Sequence, residues 1–233
     1  MQQSFADLGV SAPVVEALAK QGITAPFAIQ GLVIRDVMEG HDVLAKSPTG
    51  SGKTLAFALP IVERVQRGRG PSALVLVPTR ELATQVAEEF RPLMAARGLR
   101  VTAVYGGVSI QNQTRLVKTA DVLVATPGRL EDLLNRRAMS LDGIRTLVLD
   151  EADRMLDMGF QPQVDKIVAR TPRNRQTLFF SATLEGAAGK LVTRTPPSRA
   201  GTSTRPPSRR PRTSSTDSSR WPTSPRSTRS SRP

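Results

Sequence analysis

Six short apolar runs, alternating with longer stretches of helical spacing, predict an α/β chain with a mostly parallel sheet flanked by helices on both faces. The runs are residues 42–47, 73–77, 101–104, 122–126, 146–149 and 177–180. Each is nearly continuous in Val, Leu, Ala or Phe, as strands covered on both faces require. Helical spacing fills 54–66, 81–97, 110–118, 129–136, 162–169 and 184–192. Residues 13–20 and 27–38 read as helices of an N-terminal extension covering 1–38, ahead of a main unit over 39–193.

Composition limits what this unit can do. The chain has 233 residues, enough for one domain and a tail. It has no cysteine, which excludes disulfides, thiolate metal sites and a Cys nucleophile. Its one histidine, His41, rules out a multi-His metal centre within the chain and reads as a surface residue. No run approaches the ~18 apolar residues of a membrane span, and no basic-then-apolar leader opens the chain. A soluble, cytoplasmic monomer with no membrane partner is the expectation.

The formal charge of +13 is unevenly placed. Residues 194–233 hold ten Arg against one acid, Asp217, whereas residues 1–193 hold 23 basic and 19 acidic residues. The body is only mildly basic, so nucleic-acid binding does not follow from the total. Ser, Thr, Pro and Arg fill 36 of the 40 tail positions, without one Val, Leu or Ile. Such a segment has nothing to bury and is expected to be disordered. It reads either as an arginine-serine tail that touches nucleic acid or as an out-of-frame translation of a GC-rich gene. The abrupt change and the absence of Lys favour the second, which the genomic sequence read in another frame past codon 193 would test.

Chemistry concentrates where strands end. Ser47-Pro48-Thr49-Gly50-Ser51-Gly52-Lys53-Thr54 follows the first strand and opens a helix, the setting of a phosphate-binding loop. Gly50 and Gly52 let backbone N–H groups wrap phosphate oxygens, and the helix N-terminus adds partial positive charge. Lys53 can reach the β- and γ-phosphates of ATP, and the Thr54 hydroxyl can ligate Mg2+. Ser47 stands where the strict pattern has Gly. Asp150-Glu151-Ala152-Asp153 follows the apolar run 146–149, at the ligand edge of an open α/β sheet. There Asp150 is suited to hold Mg2+, partly through water, and Glu151 to orient or deprotonate an attacking water.

With these residues in place the chain resembles the DEAD-box family of ATP-dependent RNA helicases, whose name spells Asp150–Asp153. The resemblance implies a RecA-like P-loop domain and carries further motifs in the family's order. Pro26-Phe27-Ala28-Ile29-Gln30 looks like the adenine-recognising segment, with Gly22 ahead of it and Phe5 seventeen residues further upstream. The Gln30 amide can donate to and accept from an adenine edge. Phe5 either stacks on the base or packs in the core. Pro78-Thr79-Arg80, Gly106-Gly107 and Thr126-Pro127-Gly128-Arg129 look like three RNA-contacting motifs, suited to a sugar-phosphate backbone without base specificity. Ser181-Ala182-Thr183, with Asp153, looks like the element coupling nucleotide state to RNA grip.

The resemblance covers residues 1 to about 193. No Arg-rich motif in a strand–helix setting follows Thr193 to match the family's second RecA-like domain. The expectation is therefore an N-terminal, ATP-binding half that binds ATP, hydrolyses it poorly alone and does not unwind RNA. The alternative is a non-catalytic, nucleotide-dependent RNA-binding module.

Overall fold

The computed structural model describes residues 3–46, 52–183 and 203–204. A 3₁₀ turn, Ala6–Leu8, leads into α1 (Ala12–Ala19) and α2 (Ala28–Met38). Then β1 (Val43–Lys46), α3 (Lys53–Arg64), β2 (Ala73–Leu76), α4 (Arg80–Ala96), β3 (Val101–Val104), α5 (Ile110–Val117), β4 (Val122–Ala125) and α6 (Pro127–Asn135) follow. The chain continues through β5 (Thr146–Leu149), α7 (Ala152–Asp157), α8 (Gln161–Arg170) and β6 (Gln176–Ser181) to a two-residue strand, β7 (Ser203–Thr204).

The strands lie in the order β3-β4-β2-β5-β6-β1-β7, and every pair is parallel. All six expected strands are present, each within two residues of its expected bounds. The helix expected over 184–192 lies outside the described residues. So does the tail, apart from Ser203–Thr204, which sits beside Leu44 and Ala45 of β1. Three elements were not foreseen: the turn Ala6–Leu8, the short helix α7, and β7, which lies in the tail expected to be disordered and gains backbone hydrogen bonds from the open edge of β1.

Strand alternation divides the core between the two faces of the sheet. Val43, Ala45, Ala73, Val75, Val122, Val124, Val148, Leu178 and Phe180 face α1–α4 in one cluster. Leu74, Leu76, Leu123, Ala125, Leu147, Leu149 and Phe179 face α6–α8 in the other. Phe57 of α3 lies against Phe180 and Phe90, with ring centroids 5.3 Å and 6.1 Å apart, fixing α3 and α4 on the first face. Burying each such side chain stabilises the fold by about 1.5–3 kcal/mol. The result is a stiff platform whose strand ends, all pointing one way, carry the chemistry.

Candidate functional site

Two groups of side chains share the carboxyl rim of the sheet. The first surrounds the start of α3. Gly52 there has φ +78, and a Cβ would lie 2.5 Å from Phe27 Cδ2 and 2.9 Å from Gln30 Nε2, so the position calls for glycine. Lys53 follows as the first residue of α3 and is buried. Its Nζ lies 3.0 Å from Asp150 Oδ1 and 3.3 Å from Glu151 Oε1. Residues 47–51 lie outside the described residues, so Ser47, Pro48, Thr49, Gly50 and Ser51 remain expectations, while Gly52, Lys53 and half-buried Thr54 are placed.

Asp150 is fully buried at the end of β5. Burial pushes its carboxyl above the usual carboxylate range, although Lys53 and the Glu151 N–H, at 3.0 Å, pull the other way. Its Oδ2 has no hydrogen-bond partner among the described residues. An open, buried carboxylate oxygen and the Thr54 hydroxyl make a hard oxygen donor set, and these residues fit Mg2+. Glu151 occupies the left-handed region at φ 50, ψ 49, which costs a non-glycine residue about 1–3 kcal/mol and is retained where the site dictates it. Arg154 Nη1 donates to Glu151 Oε2 at 3.3 Å.

Gln30 is 1 % exposed and uses both ends of its amide. Oε1 accepts from the Phe27 N–H at 2.9 Å, capping α2, and Nε2 donates to the Gly52 carbonyl at 3.0 Å. The segment expected to read adenine thus holds the end of the phosphate loop. Phe27, 64 % exposed, stands beside it. Phe5 is 2 % exposed and belongs to the first hydrophobic cluster. Of its two readings the core one describes this arrangement, and a base could stack on the ring only if the ring were uncovered.

The second group forms a groove of about 570 Å³ that brings the three RNA-type motifs together. Pro78, Thr79 and Arg80 enter from the end of β2, Gly106 and Gly107 from the end of β3, and Thr126, Gly128 and Arg129 from the end of β4. Thr79 caps α4 by accepting from the Leu82 N–H at 3.2 Å. Pro127, buried, is the first residue of α6, where its missing N–H does no harm. Arg80 stacks over the Tyr105 ring at 5.9 Å. Gly107 has φ +85, and a Cβ there would sit 3.3 Å from Arg80 Nη1. Sequence reasoning missed Met158 and Phe160, which also line the groove, Met158 being 49 % exposed. Their one signal is the glycine of the Met158-Gly159-Phe160 step, five residues past the carboxylate segment.

A third contact joins the strand ends. Asp153 Oδ2 accepts from the Thr183 N–H at 2.9 Å and from Thr183 Oγ1 at 3.2 Å. Partial burial raises the Asp153 pKa, but these bonds and the Arg154 N–H outweigh it, and the carboxyl is held below its ordinary range. Ser181, fully buried, pulls on the same carboxylate less than the two backbone N–H groups and more than the Thr183 hydroxyl; its own hydroxyl closes no full hydrogen bond among the described residues.

A parallel α/β sheet with a buried lysine, a strand-end Asp-Glu pair and a glycine-led helix start defines a phosphate-binding α/β domain. A family profile for the DEAD/DEAH box helicases matches residues 27–191. The chain is 44% identical over 189 residues to the DEAD-box ATP-dependent RNA helicase CshA of Streptococcus pneumoniae, covering 80% of this chain and 36% of that protein. It is 45% identical over 197 residues to the DEAD-box ATP-dependent RNA helicase 53 of Oryza sativa subsp. japonica, covering 81% and 32%. The crystal structure of a DEAD box protein from the hyperthermophile Methanococcus jannaschii matches with a TM-score of 0.79 and 37% identity, over 83% of this chain and 54% of that one. The chain belongs to the DEAD/DEAH box helicase family, and its sheet is that family's RecA-like domain. It spans about a third of the length of these curated relatives.

Proposed function

We propose that this chain is the ATP-binding half of an RNA helicase, coupling Mg2+-bound ATP at the start of α3 to single-stranded RNA in the neighbouring groove. The observation that carries this is the placement of two sites on one rim: Lys53 against Asp150 and Glu151, and three RNA-type motifs in one groove. In this reading ATP draws Lys53 from the carboxylates onto its β- and γ-phosphates. Asp150, with Thr54, holds Mg2+, which when bound offsets phosphate charge. Glu151, steered by Arg154, orients the attacking water. Gln30 reads the adenine edge and reports it to the phosphate loop through Gly52. Asp153 and Thr183 pass the nucleotide state from β5 to β6. The names of the relatives, both ATP-dependent RNA helicases, support the substrate pair.

The groove presents glycine turns, helix starts and two arginines, Arg80 and Arg129, which suit phosphates rather than base edges; the carboxylates Glu81 and Asp132 and the apolar Met158 and Phe160 complete its lining. Among the described residues, both cations beside the Asp-Glu pair, Lys53 and Arg154, are bound to its carboxylates. An arginine supplied from elsewhere is worth about 10³–10⁵ in rate in related phosphoryl transfers. The 233-residue chain is therefore expected to bind ATP, turn it over slowly and leave duplex RNA intact. RNA-stimulated turnover by the purified chain would overturn that expectation. A monomeric, cytoplasmic protein remains part of the proposal. Among the described residues no helix is long and apolar enough to cross a membrane. The alternative of a non-catalytic RNA-binding module predicts no hydrolysis at all, which the same turnover assay separates.

A further inference from the structure

One polar residue lies on the buried face of α5. Gln113 sits four residues before Val117, on the same side of the helix, and is 4 % exposed. Its Nε2 donates to the Tyr105 carbonyl at 3.2 Å, and its Oε1 accepts from Arg129 Nη1 at 2.6 Å. The same Nη1 donates to the Val108 carbonyl at 3.0 Å. Arg129 is thus fastened through one nitrogen. Among the described residues its Nη2 has no protein partner, its buried Nε has none either, and no carboxylate pairs with it.

The amide also reaches the other two motifs. Tyr105 directly precedes Gly106, and its ring carries the Arg80 guanidinium at 5.9 Å. One buried side chain therefore joins the Gly106–Gly107 turn to Arg129 and, through Tyr105, to Arg80. A buried amide with both ends engaged holds one orientation, because turning it would leave two buried groups unsatisfied.

We propose that Gln113 is a positioning residue for RNA binding. It clamps Arg129 through Nη1 and leaves Nη2 for a phosphodiester oxygen, while locking the Tyr105–Gly107 turn beside it. This rests on the reading of the groove as the RNA seat. A guanidinium fixed in advance loses less freedom when RNA arrives than one free to turn into solvent.

The test measures a fluorescent oligouridine binding to the full chain over a range of salt, in wild type, Gln113→Met, Arg129→Ala and the double variant. Methionine keeps the volume and removes both hydrogen bonds. Gln113→Met and Arg129→Ala should each bind about tenfold more weakly. Each should also lower the slope of log K against log salt by about 0.7, the value of one single-strand phosphate. The double variant should bind no more weakly than Arg129→Ala alone. In the free chain, the NMR signal of the Arg129 Nε–H should show slow guanidinium rotation that is lost in Gln113→Met. Wild-type binding by Gln113→Met, or additive losses in the double variant, overturns the proposal alone. Wild-type binding by Arg129→Ala removes the groove reading and the proposal with it, leaving the NMR signal as a separate measure of the clamp. If the methionine variant misfolds, Gln113→Leu removes the same two hydrogen bonds with a different side-chain shape. The same tenfold loss supports the contact, and unchanged affinity overturns it.

Discussion

Replacing Gln30 with methionine removes an amide that is 1 % exposed and changes little else in volume. The Phe27 N–H at 2.9 Å loses its acceptor, and the Gly52 carbonyl at 3.0 Å loses its donor. Each hydrogen bond contributes about 1 kcal/mol net, and a group left dry and unpaired costs about 1–3 kcal/mol. The two losses together come to about 2–4 kcal/mol. For a fold of this size, 1 kcal/mol moves the melting temperature by about 2–4 °C, so Gln30→Met should melt about 5–15 °C lower. The assay is thermal unfolding of both proteins without nucleotide, followed by ATP and GTP titrations. ATP affinity should fall and the preference for ATP over GTP should narrow. A melting temperature within 2 °C of wild type would refute the two hydrogen bonds. A lower melting temperature with unchanged preference would show that Gln30 braces the loop without reading the base.

Gly52→Ala places a Cβ at φ +78, 2.5 Å from Phe27 Cδ2; chemical unfolding should show a loss of about 1–2 kcal/mol, with ATP binding abolished by displacement of Lys53. Asp150→Asn tests the buried carboxylate through pH. Because burial raises the Asp150 pKa in the folded chain, the unfolded chain releases that proton first, and this carboxyl lowers stability as pH rises from the ordinary carboxylate range through its raised value. The difference in unfolding free energy between wild type and Asp150→Asn should drift across that window and level off above it. A flat difference would contradict the raised pKa.

The sheet and its rim were legible because they obey local rules. Continuous apolar runs mark two-sided strands, and strand ends in a parallel sheet must share a rim, which alone brings Lys53 and Asp150 to the same edge. Side chains whose role depends on what lies across from them were not legible. Gln113 looks like an ordinary polar residue on a helix; only its four-residue spacing from Val117 hints that it turns inward, and its partners lie on a loop and on another helix. Met158 and Phe160 enter the groove because Gly159, at φ +82, turns the chain after α7, and no periodicity announces that turn. Phe5 shows the converse: its position suits a stacking ring, yet Leu8, Val10 and Val14 draw the same segment into the core.

Calorimetric titration of Mg2+-bound ATP into the 233-residue chain tests the central claim most directly. The predicted result is one ATP per chain, no measurable binding in Lys53→Ala, and GTP weaker than ATP. Equal binding by wild type and Lys53→Ala, or no binding by either, would contradict a nucleotide site built on Lys53, Asp150 and Glu151.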